Sequence, residues 1–202
     1  MCVADSRCSS RPLVKRMPLA RALSQIVASI FLCTAHAGTL IQDSTIEHDA
    51  LTRYYDYFVP SSLPETAVPL VFILHGGTQD NKALEMTNSA WAEFLVVAER
   101  EKFIVILPNA TSDVTGLSGP TGDFHWNDCR ADGPAVFADD VGFVSTLIDW
   151  ASETFPIDSQ SVYTTGASNG GMMNYRLAFE LSDRIAAIGV VIANIPANSE
   201  CA

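Results

Sequence analysis

Basic residues are scarce in this sequence. Its 12 lysines and arginines stand against 23 aspartates and glutamates, which gives a formal net charge of −11 at pH 7. A nucleic-acid partner would require a basic face, so the composition excludes that class of function. Charged residues are only 17% of the chain, whereas apolar residues are 48%. This balance argues against disorder and is enough to bury the core of one domain.

Cysteine is present in small number and without metal-site spacing. No Cys-x-x-Cys pair and no zinc-type cluster of histidine and cysteine occurs, so we predict no metal site. Three of the five cysteines lie before residue 38, which leaves Cys129 and Cys201. Free thiols are a liability in an oxidising compartment. We therefore predict a disulfide between Cys129 and Cys201 if the protein is exported.

The sequence also lacks an apolar run long enough for a membrane span. The best candidate, residues 22–34, is short and contains Gln25 and Ser29. A basic stretch precedes it and Ala35-His36-Ala37 follows, which is an A-x-A cleavage pattern. We predict that residues 1–37 are a signal peptide and that the protein is secreted or periplasmic. The alternative is an amphipathic N-terminal helix.

The charge asymmetry is larger after the predicted leader. Residues 1–37 hold five of the basic side chains and one acid, so residues 38–202 carry a net charge of −15. Such a surface favours solubility and disfavours anionic membranes, and we predict no stable membrane association. The basic region is long, so Met17 is an alternative start. The sequence does not specify an oligomeric state.

Apolar runs alternate with amphipathic stretches through residues 38–202, which we interpret as a single domain. This order predicts an α/β fold with a doubly wound, mostly parallel sheet. Continuous apolar runs are typical of strands covered on both faces, and spacing of i, i+3, i+4 indicates helices. Strands are predicted at 52–59, 70–74, 103–107, 161–165 and 186–193, and helices at 83–102, 139–155 and 170–181.

A long polar loop, residues 109–138, follows the third predicted strand. Loops of this length in compact domains are usually functional, and it begins at the carboxyl end of a strand, where open α/β sheets place their sites. We predict that Trp126 in this loop contacts substrate. Asp139 and Asp140 at its end are interpreted as a helix cap.

Gly166-Ala167-Ser168-Asn169-Gly170 matches G-x-S-x-G. It lies between a predicted strand and a predicted helix, the context of a nucleophile elbow. The glycines allow a sharp turn that holds Ser168 exposed and strained. The backbone N–H of Asn169 at the helix start can donate to an oxyanion. We predict that Ser168 is a nucleophile; the alternative is a plain turn with Ser168 as a helix cap.

His75-Gly76-Gly77 directly follows the strand predicted at 70–74. Glycines let main-chain amides face a bound carbonyl group, and in folds of this kind the loop completes the oxyanion hole. We assign that role to the Gly77 amide. His75 is interpreted as a structural histidine of the loop, and not as a base.

Four motifs together carry a family resemblance. PLVFILHGG, WND, ADDVGF and VYTTGASNGGMMNYRLAFELSDRIAAIG occur in this order between residues 69 and 189. The chain resembles the extracellular esterases that are grouped with poly(3-hydroxybutyrate) depolymerases and feruloyl esterases. The resemblance implies an α/β-hydrolase fold, no metal or organic cofactor, and hydrolysis of a carboxylic ester, polymeric or small. It places the nucleophile at Ser168 and the oxyanion hole at the Gly77 and Asn169 amides.

The sequence departs from this family pattern after the nucleophile. The fold orders its triad as serine, acid, histidine, yet no histidine follows Ser168. We therefore expect an incomplete sheet that lacks its last strands, and a chain that lacks the triad acid and histidine and is inactive as given. Two alternatives stay open: a secreted serine peptidase of related fold, and a non-catalytic binding protein on a decayed hydrolase scaffold.

Overall fold

The computed structural model describes residues 38–85, 92–130 and 137–195, and the predicted signal peptide lies outside them. Six strands of this part form one sheet in the order β1-β2-β4-β3-β5-β6. The strands are β1 (Thr39–His48), β2 (Leu51–Val59), β3 (Val68–Leu74), β4 (Ile104–Pro108), β5 (Ile157–Ala167) and β6 (Ala187–Val191).

Strand directions agree with the predicted, mostly parallel sheet. β4, β3, β5 and β6 are parallel to one another, whereas β1 and β2 form an antiparallel hairpin and β2 is antiparallel to β4. The prediction of an α/β, mostly parallel sheet is confirmed. β1 was not predicted, because its sequence is largely polar. It also contains a register shift between Ile41 and Ser44, where Asp43 has a positive φ of 55°.

Four helices connect these strands: α1 (Lys82–Glu85), α2 (Ala92–Glu101), α3 (Asp140–Thr154) and α4 (Asn169–Glu180). The helix predicted at 83–102 corresponds to α1 and α2, with residues 86–91 outside the described ranges. α3 begins at Asp140, and the carboxylate of Asp139 accepts a hydrogen bond of 2.9 Å from the Gly142 amide. Asp139 is therefore the helix cap, and Asp140 has another role.

Helices pack on both faces of the sheet, which makes it doubly wound. On one face Leu70 and Phe72 of β3 join a buried cluster with Phe143 of α3 and Met173 of α4. On the other face Ile73 packs in a cluster with side chains of α1, α2 and β4. Burial on both faces accounts for the continuous apolar run of β3. Each such side chain stabilises the fold by about 1.5–3 kcal/mol.

β6 differs from its prediction as a buried strand over 186–193. Its residues alternate between exposed and half-buried, because it pairs with β5 on one side and with no other strand of the described residues. Ile192, just after the strand, is 88% exposed. Within the described ranges no helix is both long and apolar enough to cross a membrane.

Candidate active site

Ser168 lies in a sharp turn between β5 and α4. Its backbone has φ 53° and ψ −121°, a conformation that costs a non-glycine residue roughly 1–3 kcal/mol. The close approach of β3 makes the turn possible only with glycine on each side. A Cβ on Gly166 would lie 2.7 Å from the Leu74 carbonyl oxygen, and one on Gly170 would lie 2.4 Å from the His75 carbonyl oxygen. The result is an exposed serine at the carboxyl end of the central strands.

Two main-chain amides flank this serine as possible oxyanion donors. Gly77 follows β3 in the next loop, and its N–H donates to no acceptor among the described residues, whereas the adjacent Thr78 amide donates to Phe124 O at 3.0 Å. Asn169 is the first residue of α4, and the first amides of a helix have no partner within it. Both amides can therefore donate to a bound carbonyl oxygen.

Ser168, Gly77 and Asn169 all line one open cavity of about 350 Å³. This volume accepts a small ester group. The structure thus brings three of the predicted site residues together. The residues that line the cavity are Gly77, Thr78, His125, Arg130, Ser168, Asn169 and Met172.

His75 is a buried part of the loop and does not face the serine. Its Nδ1 lies 2.7 Å from Gly76 O, and its Nε2 accepts a hydrogen bond of 3.2 Å from the Ala110 amide. Burial lowers the pKa of His75 to about 4, so the ring is neutral at pH 7. These contacts confirm its interpretation as a structural histidine.

The lowered pKa of His75 predicts a specific acid sensitivity. His75 takes up a proton near pH 6.5 in the unfolded chain but only near pH 4 in the folded chain. The contribution of neutral His75 to the free energy of unfolding is therefore fully present above pH 6.5 and is lost as the pH falls towards 4. The loss amounts to at most about 3 kcal/mol. Urea unfolding at several pH values should show this slope, and His75→Gln should flatten it. An unchanged slope in the variant would show that other groups cause it.

Trp126 is not where the sequence predicted it. Its side chain is 0% exposed and does not line the cavity of Ser168. The indole Nε1 donates a hydrogen bond of 3.0 Å to the carbonyl oxygen of His75. The prediction that the Trp126 side chain contacts substrate is therefore corrected: the indole is a buried support of the loop that begins at His75.

Two hydrogen bonds join the backbone of Trp126 to the side chain of Asn169. The Trp126 amide donates to Asn169 Oδ1 at 2.7 Å, and Asn169 Nδ2 donates to Trp126 O at 3.0 Å. The same Nδ2 donates to Asp128 Oδ2 at 2.7 Å, and Arg130 binds both oxygens of that carboxylate. These bonds fix the start of α4, and with it the direction of the Asn169 amide.

A buried ion pair extends this network to the far side of the loop. Arg53 Nη2 lies 2.6 Å from Asp140 Oδ1, and the two side chains are 1% and 0% exposed. The other carboxylate oxygen of Asp140 accepts a bond of 2.7 Å from the Asn127 amide. Sequence reasoning missed this role, because the partner of Asp140 lies on β2, far away in the chain.

No base is hydrogen-bonded to the Ser168 hydroxyl among the described residues. The Ser168 hydroxyl makes no hydrogen bond to residues 38–85, 92–130 or 137–195. His48 contacts Asp139 at 3.0 Å, His75 is enclosed in its loop, and His125 lies beside Gly77. The same ranges contain no group of three or more metal-ligating side chains.

Cys129 directly follows Asp128 in the loop after β4 and has a positive φ of 72°. It is 8% exposed and disulfide-bonded. Cys201 lies outside the described residues, so the predicted pairing of these two cysteines stays a prediction.

Two curated proteins resemble the chain in sequence, while no family model matches it. A bifunctional acetylxylan esterase/xylanase, XynS20E of Neocallimastix patriciarum, is 30% identical over 130 residues, which cover 64% of this chain and 16% of that protein. A poly(3-hydroxybutyrate) depolymerase of Ralstonia pickettii is 29% identical over 147 residues, 69% of this chain and 28% of that protein. The chain thus spans less than a third of either relative.

Solved structures share the fold. A ferulic acid esterase superposes with a TM-score of 0.59 at 19% identity and covers 81% of this chain and 64% of its own. The acetyl xylan esterase of Aspergillus awamori gives a TM-score of 0.57 at 19% identity, with 78% and 53% covered. These likenesses show that the chain has the α/β-hydrolase type of fold. The two sequence relatives support an esterase-like family within this fold.

Proposed function

We propose that this protein is a serine carboxylic-ester hydrolase with Ser168 as the nucleophile. The observation that carries the proposal is the strained, exposed Ser168 in one cavity with Gly77 and Asn169. The hydroxyl oxygen attacks the ester carbonyl carbon, and the Gly77 and Asn169 amides stabilise the negative charge on the carbonyl oxygen. The serine proton passes to water, and the alkoxide or phenolate leaves, the alkoxide taking up a proton from water. An acyl-enzyme forms, and attack by a second water molecule releases the acid and restores the Ser168 hydroxyl.

The substrate is a polymeric or small ester outside the cell. The relatives support this part of the proposal by their names, which describe an acetylxylan esterase and a poly(3-hydroxybutyrate) depolymerase. The predicted signal peptide at 1–37 and the charge of −15 on residues 38–202 support secretion. The mature domain then begins at Gly38.

The chemistry predicts acylation without efficient turnover in the 202-residue chain. A nitrophenyl ester carries a leaving group that needs no protonation, so it should acylate Ser168 slowly, in a single turnover. Steady-state release should stay close to that of Ser168→Ala, because no imidazole of the described residues contacts the hydroxyl, and loss of triad function costs up to about 10⁶-fold in kcat. Intact-protein mass spectrometry and nitrophenolate release measure the two steps.

A peptide nitroanilide separates the esterase from the peptidase alternative in the same experiment. Amide cleavage that depends on Ser168 would favour a peptidase. No acylation by either substrate would favour a non-catalytic protein. Rapid, sustained ester turnover that is lost in Ser168→Ala would show that a base does act on Ser168 in these 202 residues.

The disulfide between Cys129 and Cys201 is part of the proposal. It would tie the loop after β4 to the segment after β6, and closing a loop of this length stabilises the folded state by about 4–5 kcal/mol in the chain-entropy model. Non-reducing peptide mapping of protein from an oxidising compartment should yield one cross-linked peptide. A map with Cys201 as a free thiol would contradict the pairing.

A further inference from the structure

A histidine and an aspartate of the loop after β4 meet at the edge of the Ser168 cavity. His125 Nδ1 lies 2.8 Å from Asp113 Oδ2, within ion-pair range although the N–H is not well aligned for a hydrogen bond. The opposite edge of the ring faces the oxyanion loop. A Cβ on Gly77 would lie 2.7 Å from His125 Nε2, so Nε2 lies within about 4 Å of the Gly77 Cα, given bond lengths near 1.5 Å.

The backbone segment that carries this ring is hydrogen-bonded to the residues that follow Gly77. The His125 amide donates to Thr111 O at 2.9 Å. Its neighbour Phe124 exchanges backbone hydrogen bonds with the segment after Gly77, donating to Gln79 O at 3.2 Å and accepting from the Thr78 amide at 3.0 Å. The backbone that carries the imidazole is therefore held next to the loop of Gly77.

The Asp113 carboxylate determines which nitrogen of the His125 ring presents a lone pair to the cavity. An unprotonated Nδ1 would turn its lone pair towards Asp113 Oδ2, which is repulsive, so the proton of the neutral ring lies on Nδ1. Nε2 is then a hydrogen-bond acceptor. No side chain or backbone group of the described residues forms a hydrogen bond with Nε2.

Two other polar side chains of the cavity already have protein partners. The Thr78 hydroxyl donates to Gly77 O at 2.7 Å, and Arg130 donates to the Asp128 carboxylate through Nε at 2.9 Å and Nη2 at 2.8 Å. His125 Nε2 is thus an acceptor within about 4 Å of the Gly77 Cα, next to the amide that we propose binds the carbonyl oxygen. A hydroxyl group of the substrate is the donor that fits it.

We propose that His125, oriented by Asp113, is a specificity-determining residue that accepts a hydrogen bond from a substrate hydroxyl close to the scissile ester. This inference rests on the proposed function and deepens it. The hydroxyl can belong to the acid portion or to the alcohol portion of the ester, which present the same chemistry to Nε2. Asp113 is a positioning residue that fixes the tautomer.

Matched organophosphonate esters test this inference. One pair carries or lacks a hydroxyl in the alkyl group that mimics the acid portion, and a second pair carries or lacks it in the non-leaving alkoxy group that mimics the alcohol portion. The readout is the second-order rate constant for labelling of Ser168. In one of the two pairs, the probe with the hydroxyl should react about five-fold faster than the probe without it, which is the effect of one net hydrogen bond. Which pair shows this difference identifies whether the hydroxyl belongs to the acid portion or to the alcohol portion.

Substitutions at His125 and Asp113 test whether the His125 ring causes the preference for the hydroxyl-bearing probe. His125→Phe should bring the ratio of the two rate constants to about one, and Asp113→Asn should reduce the ratio. His48→Phe is the matched control, because His48 forms a similar pair with Asp139 at 3.0 Å away from the cavity, and its ratio should stay as in the parent protein.

Two results would overturn the inference. One is a ratio near one in both probe pairs with the parent protein. The other is a five-fold ratio that persists in His125→Phe. Labelling of Ser168 by none of the four probes would instead refute the proposed function itself, and this inference with it.

Discussion

Replacing Asp140 by alanine is expected to lower the free energy of unfolding by about 3–5 kcal/mol. The substitution leaves the Arg53 guanidinium, which is 1% exposed, without its carboxylate partner at 2.6 Å. A buried cation without a partner keeps its full desolvation cost. The Asn127 amide also loses its acceptor, so the loop that holds Asn169 should loosen. Urea unfolding followed by circular dichroism measures the change.

An exposed ion pair provides the control for this prediction. Arg100 and Glu101 lie 2.6 Å apart, but their side chains are 69% and 57% exposed. Glu101→Gln should cost less than about 1 kcal/mol. The double variant Arg53→Met/Asp140→Leu should recover most of the loss, since it removes both charges. A cost below about 1 kcal/mol for Asp140→Ala would mean that the pair contributes nothing to stability.

The local sequence predicted most of the sheet and the nucleophile turn. β3, β4 and β5 are uninterrupted apolar runs, and their burial on both faces follows from that pattern alone. Ser168 could be placed in an elbow because G-x-S-x-G stands between a strand and a helix, and both glycines are required by contacts of 2.7 Å or less to β3. Such features depend on residues that are near each other in the chain.

Features that depend on distant partners could not be predicted. Asp140 looked like a second cap beside Asp139, and only the structure brings Arg53 to it. Trp126 looked like a pocket aromatic, because a sequence does not reveal that its indole donates to His75 O. β1 is polar and is held by pairing with β2 along its length, so its own residues carry no strand pattern.

The role of Asn169 shows how separate motifs act together. WND, the HGG loop and the serine turn were predicted as three separate elements. In the structure Asn169 binds the Trp126 backbone and Asp128, while the Trp126 ring binds the loop of His75. A change in any of the three motifs should therefore disturb the Gly77 and Asn169 amides that we propose as oxyanion donors, even where the changed side chain does not contact substrate.

Ser168→Ala is expected to have the largest effect on reactivity. The hydroxyl is exposed in a cavity with the Gly77 and Asn169 amides, which can stabilise a phosphonyl oxygen as they would a carbonyl oxygen. An alanine at this position removes the only atom of the turn that can form the covalent bond. The fold should be retained, because the Ser168 side chain makes no hydrogen bond to the described residues.

Labelling by an organophosphonate ester, followed by peptide mass spectrometry, tests the nucleophile most directly. We predict slow phosphonylation of one site in the protein, on the peptide that contains Ser168, and no labelling of the Ser168→Ala variant under the same conditions. Circular dichroism of the two proteins should coincide, which shows that the loss is chemical. Labelling at the same rate in Ser168→Ala, or at another residue of the parent protein, would contradict the assignment of Ser168.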